Sequence, residues 1–368
     1  MISLVHLQPR IQILFALPQN PLSRLSRPAV GILLILAAFA ANAQEQVINV
    51  YSARHYPSDE ALYANFTKAS GIKIRRVDSD DAGILARLKA EGSASPADVI
   101  LLVDAARLWK GEIEGLFLPV KSRLLDAAIP VQLRAKGSPE GTTWFGLSTR
   151  ARVIVYDKAK VDKADIDSYE KLADPRHKGR ICTRSGSHPY NLSLFSSMLE
   201  HLGPAKAELW LKGLVDNMAR QPVGGDTDQI KGVASGECAI AISNTYYIAR
   251  LMRSSAPADK AVAERISVVF PNQSSWGTHI NVAGGAVARY AKNPALAVKF
   301  LEYLASAQAQ AYFADGNNEW PAAVSVKLDN PVLQAMSGGA FKREDIPASV
   351  IGMNQIKVQQ MLDRVGFR

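Results

Sequence analysis

The sequence is poor in the residues that build most structural metal sites and redox centres. Its 368 residues include only two cysteines, Cys182 and Cys238, and six histidines. Two isolated cysteines cannot form a zinc site, because structural zinc takes about four nitrogen or sulfur ligands. The two thiols are able to pair in an oxidising compartment, but a sequence does not show how far apart they lie. A disulfide between them is therefore left open.

Motifs of the common hydrolytic and phosphate-handling enzymes are also absent. The sequence contains no GxSxG, no HExxH and no glycine-rich phosphate loop. Asp80 with Asp81, and Asp226 with Asp228, are interpreted as helix caps and solvated loop residues rather than as acid–base pairs. No block of Lys and Arg with interleaved aromatic residues occurs, which argues against nucleic acid as a partner. These absences favour a binding protein over an enzyme.

Long apolar runs are missing apart from a short one near the start. Residues 1–43 contain three arginines, no acidic residue and an apolar run over residues 29–40. The run is shorter than the ~20 residues of a spanning helix, and Ala41-Asn42-Ala43 after it is typical of a signal peptidase site. The sequence therefore predicts a cleavable signal peptide over residues 1–43 and a periplasmic protein. Without that segment the net charge falls from +9 to +6.

After residue 44, strand patterns alternate with helix patterns. Strands are predicted at 47–53, 72–77, 97–103, 179–183, 239–243, 266–270 and 284–288, with a β-rich stretch at 144–156 between the two sets. This alternation indicates an α/β protein with largely parallel sheets. The order predicts two lobes that the chain connects twice, which is the hinge arrangement of periplasmic binding proteins. The N-terminal lobe would comprise residues 44–148 and 272–320, and the C-terminal lobe 149–271 and 321–368.

Tyrosines recur where predicted strands end and helices begin. Tyr56 follows the first strand, Tyr190 follows a strand of the second lobe, and Tyr246 with Tyr247 follows the next one. Ligands of open α/β sheets bind outside the carboxyl ends of the strands, so these loops are expected to line a cleft. Neighbouring residues in a helix are ~100° apart, which allows Tyr246 and Tyr247 to reach one ligand. His55, just before Tyr56, is a candidate imidazole ligand.

The phenol and imidazole groups in these loops indicate which kind of metal the site would bind. Several phenol oxygens with one imidazole and no thiolate favour a hard, highly charged cation. A phenol with a free pKa of ~10 loses its proton at neutral pH only to a strongly Lewis-acidic ion. Ferric iron fits this requirement, whereas Ca²⁺ and Mg²⁺ would call for carboxylate clusters. Four phenolates around Fe³⁺ leave a charge of −1, which predicts a nearby cation, and Arg150 is the first candidate.

Six stretches of the sequence also carry a family resemblance. They are Val50-Tyr51-Ser52-Ala53-Arg54-His55-Tyr56, Ser95-Pro96-Ala97-Asp98-Val99, Arg150-Ala151-Arg152-Val153-Ile154-Val155-Tyr156, Gly225-Asp226-Thr227, Asn244-Thr245-Tyr246-Tyr247 and Phe270-Pro271-Asn272-Gln273. Over residues 47–368 the chain resembles the ferric-iron-binding proteins of ABC transporters, in the subgroup that includes the cyanobacterial proteins.

This resemblance implies a site, a cargo and partners. It implies a type II periplasmic binding protein fold and, as ligands of transported Fe³⁺, His55, Tyr56, Tyr190, Tyr246 and Tyr247. Some members of the family add carbonate or another synergistic anion. The partners implied are an ABC importer's permease and ATPase, with the carrier itself a monomer.

Two other functions remain open from the sequence. One is a binding protein for an organic or oxyanion ligand held by arginines, and the other is an exported enzyme that uses tyrosinate-bound iron. A carrier saturates the coordination of its metal, whereas an enzyme keeps a position open. Metal analysis of the purified protein together with its visible spectrum distinguishes the three.

Overall fold

The structure is a computed structural model that describes residues 45–54 and 56–367. The predicted signal peptide, residues 1–43, lies outside the described residues. The strands are β1 (Val47–Ser52), β2 (Lys73–Asp78), β3 (Val99–Leu102), β4 (Phe117–Leu118), β5 (Phe145–Asp157), β6 (Ile181–Cys182), β7 (Ile240–Asn244), β8 (Ile266–Val269), β9 (Ile280–Ala288) and β10 (Trp320–Pro321).

Helices flank these strands along most of the chain. They are α1 (Asp59–Ser70), α2 (Asp81–Glu91), α3 (Ala105–Ile113), α4 (Arg123–Ala128), α5 (Pro189–Leu202), α6 (Pro204–Asp216), α7 (Asp226–Ser235), α8 (Thr245–Arg253), α9 (Pro257–Arg265), α10 (Pro294–Leu304), α11 (Ala307–Ala311), α12 (Pro331–Ser337) and α13 (Ala348–Val365). Within residues 45–54 and 56–367, no helix combines the length and the apolar character needed to cross a membrane.

The strands join in the order β2-β1-β3-β9-β5-β7-β6. β1 is parallel to β2 and β3, and β6 is parallel to β7, whereas β9 is antiparallel to both β3 and β5. The carboxyl ends of β1, β2 and β3 therefore lie at one edge of the first half of the sheet. Loops that follow these ends are the positions where ligands of open sheets bind.

β5 connects the two halves of the sheet. Its residues 145–151 pair with β9, residues 152–156 pair with β7, and residues 154–157 also pair with β8. All 13 residues of β5 are buried, because the strand has neighbours on both sides along its length. β5 is one crossover between the lobes, and the connection from β8 to β9 is the other. The two-lobed α/β architecture with two hinge crossovers is as predicted.

Each half has apolar side chains packed on both faces of its sheet. In the first half, Phe66 of α1 packs on Phe300 of α10 with ring centroids 4.8 Å apart, and Ile84 of α2 covers the other face. In the second half, Phe195 of α5 packs on Trp210 of α6 at 5.6 Å, and α7 and α8 cover the opposite face. Burying each such side chain contributes roughly 1.5–3 kcal/mol.

The C-terminal segment contributes to both halves. Leu362 of α13 lies in the core of the second half, whereas Ala322 and Ala323 pack in the core of the first half. The exact residue boundaries of the two lobes stay a prediction.

The main departure from the sequence prediction concerns β9. The glycine-rich pattern predicts a strand that starts at residue 284, but β9 starts at Ile280 and includes Gly284 and Gly285. A Cβ at Gly285 would lie 2.7 Å from Cδ2 of Leu301, and a Cβ at Gly284 would lie 2.7 Å from the carbonyl oxygen of Phe145. The glycines therefore allow β9 to approach β5 and α10 closely, as glycines inside strands often do.

A disulfide joins two elements of the second half. Cys182, the last residue of β6, pairs with Cys238, which lies just before β7, and their Cα atoms are 5.8 Å apart. Both cysteines are buried. The bridge closes a chain segment of 56 residues that includes the whole of α5, α6 and α7.

Candidate metal site

The four tyrosines that the sequence singles out lie at the predicted junctions. Tyr56 lies in the loop between β1 and α1, and Tyr190 is the second residue of α5. Tyr246 and Tyr247 are the second and third residues of α8, directly after β7. One tyrosine thus comes from the first half of the fold and three come from the second half.

The structure brings these tyrosines together. The hydroxyl of Tyr246 donates a hydrogen bond of 3.2 Å to the hydroxyl of Tyr190. The ring of Tyr56 meets the ring of Tyr246 edge-on with centroids 6.0 Å apart, and the rings of Tyr246 and Tyr247 are 4.2 Å apart. Tyr56, Tyr190 and Tyr246 are buried, the last with 1% of its surface exposed.

Burial raises the pKa of Tyr56, Tyr190 and Tyr246. The pKa values of Tyr56 and Tyr246 lie well above 10.0, mainly because burial disfavours the phenolate. Neighbouring tyrosines add to the effect for both residues, and Glu319 adds to it for Tyr56. Burial raises the pKa of Tyr190 to about 12, although Arg150 acts in the opposite direction. In the metal-free protein these side chains are neutral phenols. An ion that binds them as phenolates must displace their protons.

Arginines surround the tyrosine rings. The guanidinium carbon of Arg54 lies 5.0 Å from the centroid of the Tyr56 ring, and that of Arg250 lies 5.7 Å from the Tyr247 ring. Around the Tyr190 ring lie Arg150 at 5.6 Å, Arg152 at 6.0 Å and Arg184 at 5.3 Å. This concentration of positive charge favours negative charge on the cluster.

Within the described residues, Arg150 differs from the other buried arginines in having no hydrogen-bond partner for its guanidinium. Its side chain is 1% exposed, yet none of its three guanidinium nitrogens forms a hydrogen bond within the described residues. Its charge interacts with Tyr190, Glu319, Tyr56 and Tyr246. An unpaired buried cation is costly, so a position of this kind points to compensation by an anionic ligand or by phenolates.

Glu319 is a residue that the sequence analysis missed. It is fully buried, and its carboxylate accepts a hydrogen bond from the hydroxyl of Tyr56 at 3.4 Å and another from Ser148 at 2.7 Å. Nη1 of Arg54 lies 3.8 Å from the same carboxylate. Glu319 and Tyr56 are 263 residues apart, so no local sequence signal could have connected them.

The interpretation of the acidic pairs as caps and solvated residues is correct for Asp80 and Asp228 but wrong for Asp81 and Asp226. Asp80 caps α2 through Gly83 at 2.7 Å, and Asp228 accepts from the backbone of Gly225 at 2.7 Å. Asp226 is fully buried in an ion pair with Arg152. Asp81 accepts from the backbone of Val103, and burial raises its pKa to about 7.

Histidine contributes to the described part of the cluster only through His188, which caps α5. Its Nδ1 accepts from the backbone nitrogen of Tyr190 at 3.2 Å. Burial, Arg184 and Arg152 lower the pKa of His188 to about 3, so the ring is neutral. His55, the predicted imidazole ligand, lies outside the described residues. Among the described residues no three His, Cys, Asp or Glu side chains group together to hold a metal ion, so a metal site there depends on tyrosine.

Comparisons with known proteins identify the family. The model of the family described as bacterial extracellular solute-binding protein matches residues 61–337. The chain is 44% identical over 325 residues to iron uptake protein A1 of Synechocystis, which covers 88% of each chain. This chain belongs to the bacterial extracellular solute-binding proteins.

Solved structures of other members resemble this solute-binding protein closely. The structure of Trichodesmium FutA (IdiA) in complex with iron and citrate has a TM-score of 0.81 and 46% identity, and the match covers 88% of this chain and 100% of that one. The ferric-binding protein of Campylobacter jejuni has a TM-score of 0.81 and 37% identity, with coverage of 87% and 100%. The predicted family and the predicted type II fold of this solute-binding protein are confirmed.

Proposed function

We propose that this protein binds ferric iron between its two lobes through tyrosine ligands and delivers it to an ABC importer. The observation that carries the proposal is the convergence of Tyr56, Tyr190, Tyr246 and Tyr247 beside the unpaired guanidinium of Arg150. Iron uptake protein A1 of Synechocystis and the ferric-binding protein of Campylobacter jejuni also match 88% and 87% of this chain.

The charges of these groups suit a trivalent ion. Four phenolates and Fe³⁺ carry a total charge of −1, which the single positive charge of Arg150 neutralises. With a divalent ion the same four phenolates would have a total charge of −2. A divalent ion would also displace the protons of buried phenols less readily, because its Lewis acidity is lower. His55, adjacent to Tyr56 in the sequence, is proposed as the fifth ligand.

A synergistic anion such as carbonate is a further possible component of the site. The Trichodesmium relative was solved with iron and citrate. The three unpaired guanidinium nitrogens of Arg150 provide donors for such an anion, and their burial would make each hydrogen bond to a charged oxygen strong.

The same donors favour a second candidate function, which is the capture of an organic acid or oxyanion without iron. In that case Arg150 would bind the ligand directly, and the tyrosines would act only as neutral hydrogen-bond donors. An exported enzyme that uses tyrosinate-bound iron is the weaker alternative, since four phenolates and one imidazole leave little room for a substrate on the metal.

Delivery of iron to an importer implies a cellular compartment and partner proteins for the carrier. We expect the mature carrier to begin after residue 43, to lie in the periplasm, to be monomeric, and to dock on the permease of an importer that an ATPase drives. The lobes would comprise residues 44–148 with 272–320 and residues 149–271 with 321–368. It would not be an enzyme.

Metal analysis combined with visible spectroscopy tests the proposal. The mature protein, stripped of metal and then loaded with ferric citrate, should bind one iron and show the visible charge-transfer band of tyrosinate-bound iron. Tyr247→Phe should weaken binding and shift the band, whereas Tyr63→Phe, which changes a buried tyrosine of the first-half core, should leave both unchanged. Citrate or carbonate binding without iron, and no visible band on iron addition, would favour the anion-binding function instead.

A further inference from the structure

A buried carboxylate behind the tyrosine cluster connects the two helices that present its second-half members. Asp226, the first residue of α7, is 0% exposed. Its Oδ2 accepts a hydrogen bond of 2.8 Å from the backbone nitrogen of Asn244 and another from Nη1 of Arg152. Its Oδ1 accepts from Nη1 of Arg184 at 3.2 Å. The carboxylate therefore contacts three separate segments of the second half.

Each of these contacts connects Asp226 to a segment that holds or adjoins one of the tyrosines. Asn244 immediately precedes α8, so the bond to its backbone nitrogen fixes the start of the helix that carries Tyr246 and Tyr247. Nη2 of Arg152 donates a hydrogen bond of 2.7 Å to Oδ1 of Asn191. Asn191 adjoins Tyr190 in the first turn of α5.

The loop of Arg184 is held to the same turn. The side-chain nitrogen of Asn191 donates to the carbonyl oxygen of Arg184 at 3.1 Å. Asp226 is also the partner that the arginines share: no other carboxylate in the described part of the chain forms an ion pair with Arg152 or Arg184. Without this carboxylate, two guanidinium groups would remain unpaired near the Tyr190 ring.

We propose that Asp226 is a positioning residue that sets the relative placement of Tyr190, Tyr246 and Tyr247 and thereby the affinity for ferric iron, although it does not touch the metal. The inference rests on the proposed function of the tyrosine cluster. Hydrogen bonds to a buried charge are strong and directional, and groups behind a metal site that hold its ligands in place often change affinity 10- to 100-fold when they are lost. The 3.2 Å separation of the Tyr190 and Tyr246 hydroxyls is the distance that Asp226 would control.

The test compares Asp226→Asn with Asp228→Asn. Both residues lie in the first turn of α7, but Asp228 bonds only the exposed backbone of Gly225 within the described residues and therefore controls for effects on the helix itself. Asp226→Asn should lower iron affinity about tenfold or more and shift the visible band, because the two tyrosine-bearing helices are no longer tied to one charged group. Asp228→Asn should bind iron with unchanged affinity and colour.

A double variant separates positioning from folding stability. Asp226→Asn alone leaves Arg152 and Arg184 without a carboxylate partner and should lower the Tm of the metal-free protein. Asp226→Asn with Arg152→Met removes the more deeply buried of these two charges, so its Tm should recover towards the wild-type value, while iron affinity and the band should stay altered. Iron affinity that recovers together with Tm would overturn the positioning role.

The wild-type protein serves as the reference that separates this inference from the proposed function. A wild-type protein that shows no visible band with ferric iron would overturn the ferric site, and the role of Asp226 with it. A wild-type band that Asp226→Asn reproduces in position, with equal affinity, would overturn only the role of Asp226.

Discussion

The pH dependence of iron binding tests whether a given tyrosine binds as a phenolate. Tyr246 is 1% exposed, and burial holds its pKa well above 10.0 in the metal-free protein. Iron can bind its oxygen only after the proton leaves. Each tyrosine that binds in this way therefore raises the iron affinity about tenfold per pH unit, as long as the pH stays below the pKa of the phenol.

Tyr246→Phe removes one such proton while keeping the ring. The phenyl group preserves the packing against Tyr56 and Tyr247, and the one hydrogen bond lost among the described residues is that to Tyr190. That loss should cost about 1 kcal/mol of folding stability, so the variant should remain folded. The ratio of wild-type to variant iron affinity should rise about tenfold per pH unit between about pH 6 and about pH 8.

Competition against one chelator, with both proteins in the same buffers, measures this ratio directly. Hydrolysis of iron and protonation of the chelator affect both proteins equally and cancel. Tyr63→Phe provides the control, because Tyr63 lies in the first-half core, and its ratio should stay near one at every pH. A Tyr246→Phe ratio that does not change with pH would refute the assignment of Tyr246 as a phenolate ligand.

Three further predictions concern the buried groups around the site and the core. Replacing Cys182 and Cys238 by alanine should lower the free energy of unfolding by about 4 kcal/mol, measured by denaturant titration, because the 56-residue segment is no longer closed. The ion pair with His279 lowers the pKa of Glu344 from about 4.5 to about 2. Glu344 should therefore stabilise the metal-free protein above about pH 4.5, and this stability should be lost as the pH falls towards about 2. Glu344→Gln should remove this pH dependence from the free energy of unfolding. Glu319→Gln should strengthen iron binding, because the Glu319 carboxylate raises the pKa of Tyr56 and accepts a hydrogen bond only from its neutral hydroxyl, and both effects disfavour the phenolate; unchanged or weaker affinity in a chelator competition would contradict this effect.

The location of the tyrosines could be predicted from the sequence because it depends on local patterns. An apolar strand, a polar loop and an amphipathic helix follow one another in short segments, and Tyr190 and Tyr246 fall at those boundaries. Ligands of open α/β sheets bind at the edge where the parallel strands have their carboxyl ends, so the pairing order of the strands did not have to be known. The boundaries of most predicted strands also agree with the observed ones within about two residues.

The supporting residues could not be predicted because they depend on contacts between distant segments. Asp226 and Arg152 are 74 residues apart, and although Gly225-Asp226-Thr227 carries part of the family resemblance, its local pattern does not show that Asp226 pairs with Arg152. Contacts between distant segments also explain the glycines of β9. The sequence places Gly284 and Gly285 at the start of a strand, but only the nearness of Phe145 and Leu301 explains why glycine is needed there.

The position of Arg150 in the crossover strand has a consequence for the hinge. In the strand register, Arg150 lies opposite Asn281 of β9, whereas Arg152, two residues later, lies opposite Asn244 of β7. The change from one half of the sheet to the other thus falls between these two arginines. A residue at a crossover lies close to the axis about which the lobes rotate and moves less than residues in the lobes themselves. Arg150 should therefore stay beside the second-half tyrosines when the lobes open, so that Tyr56 approaches a site whose counter-charge is already in place.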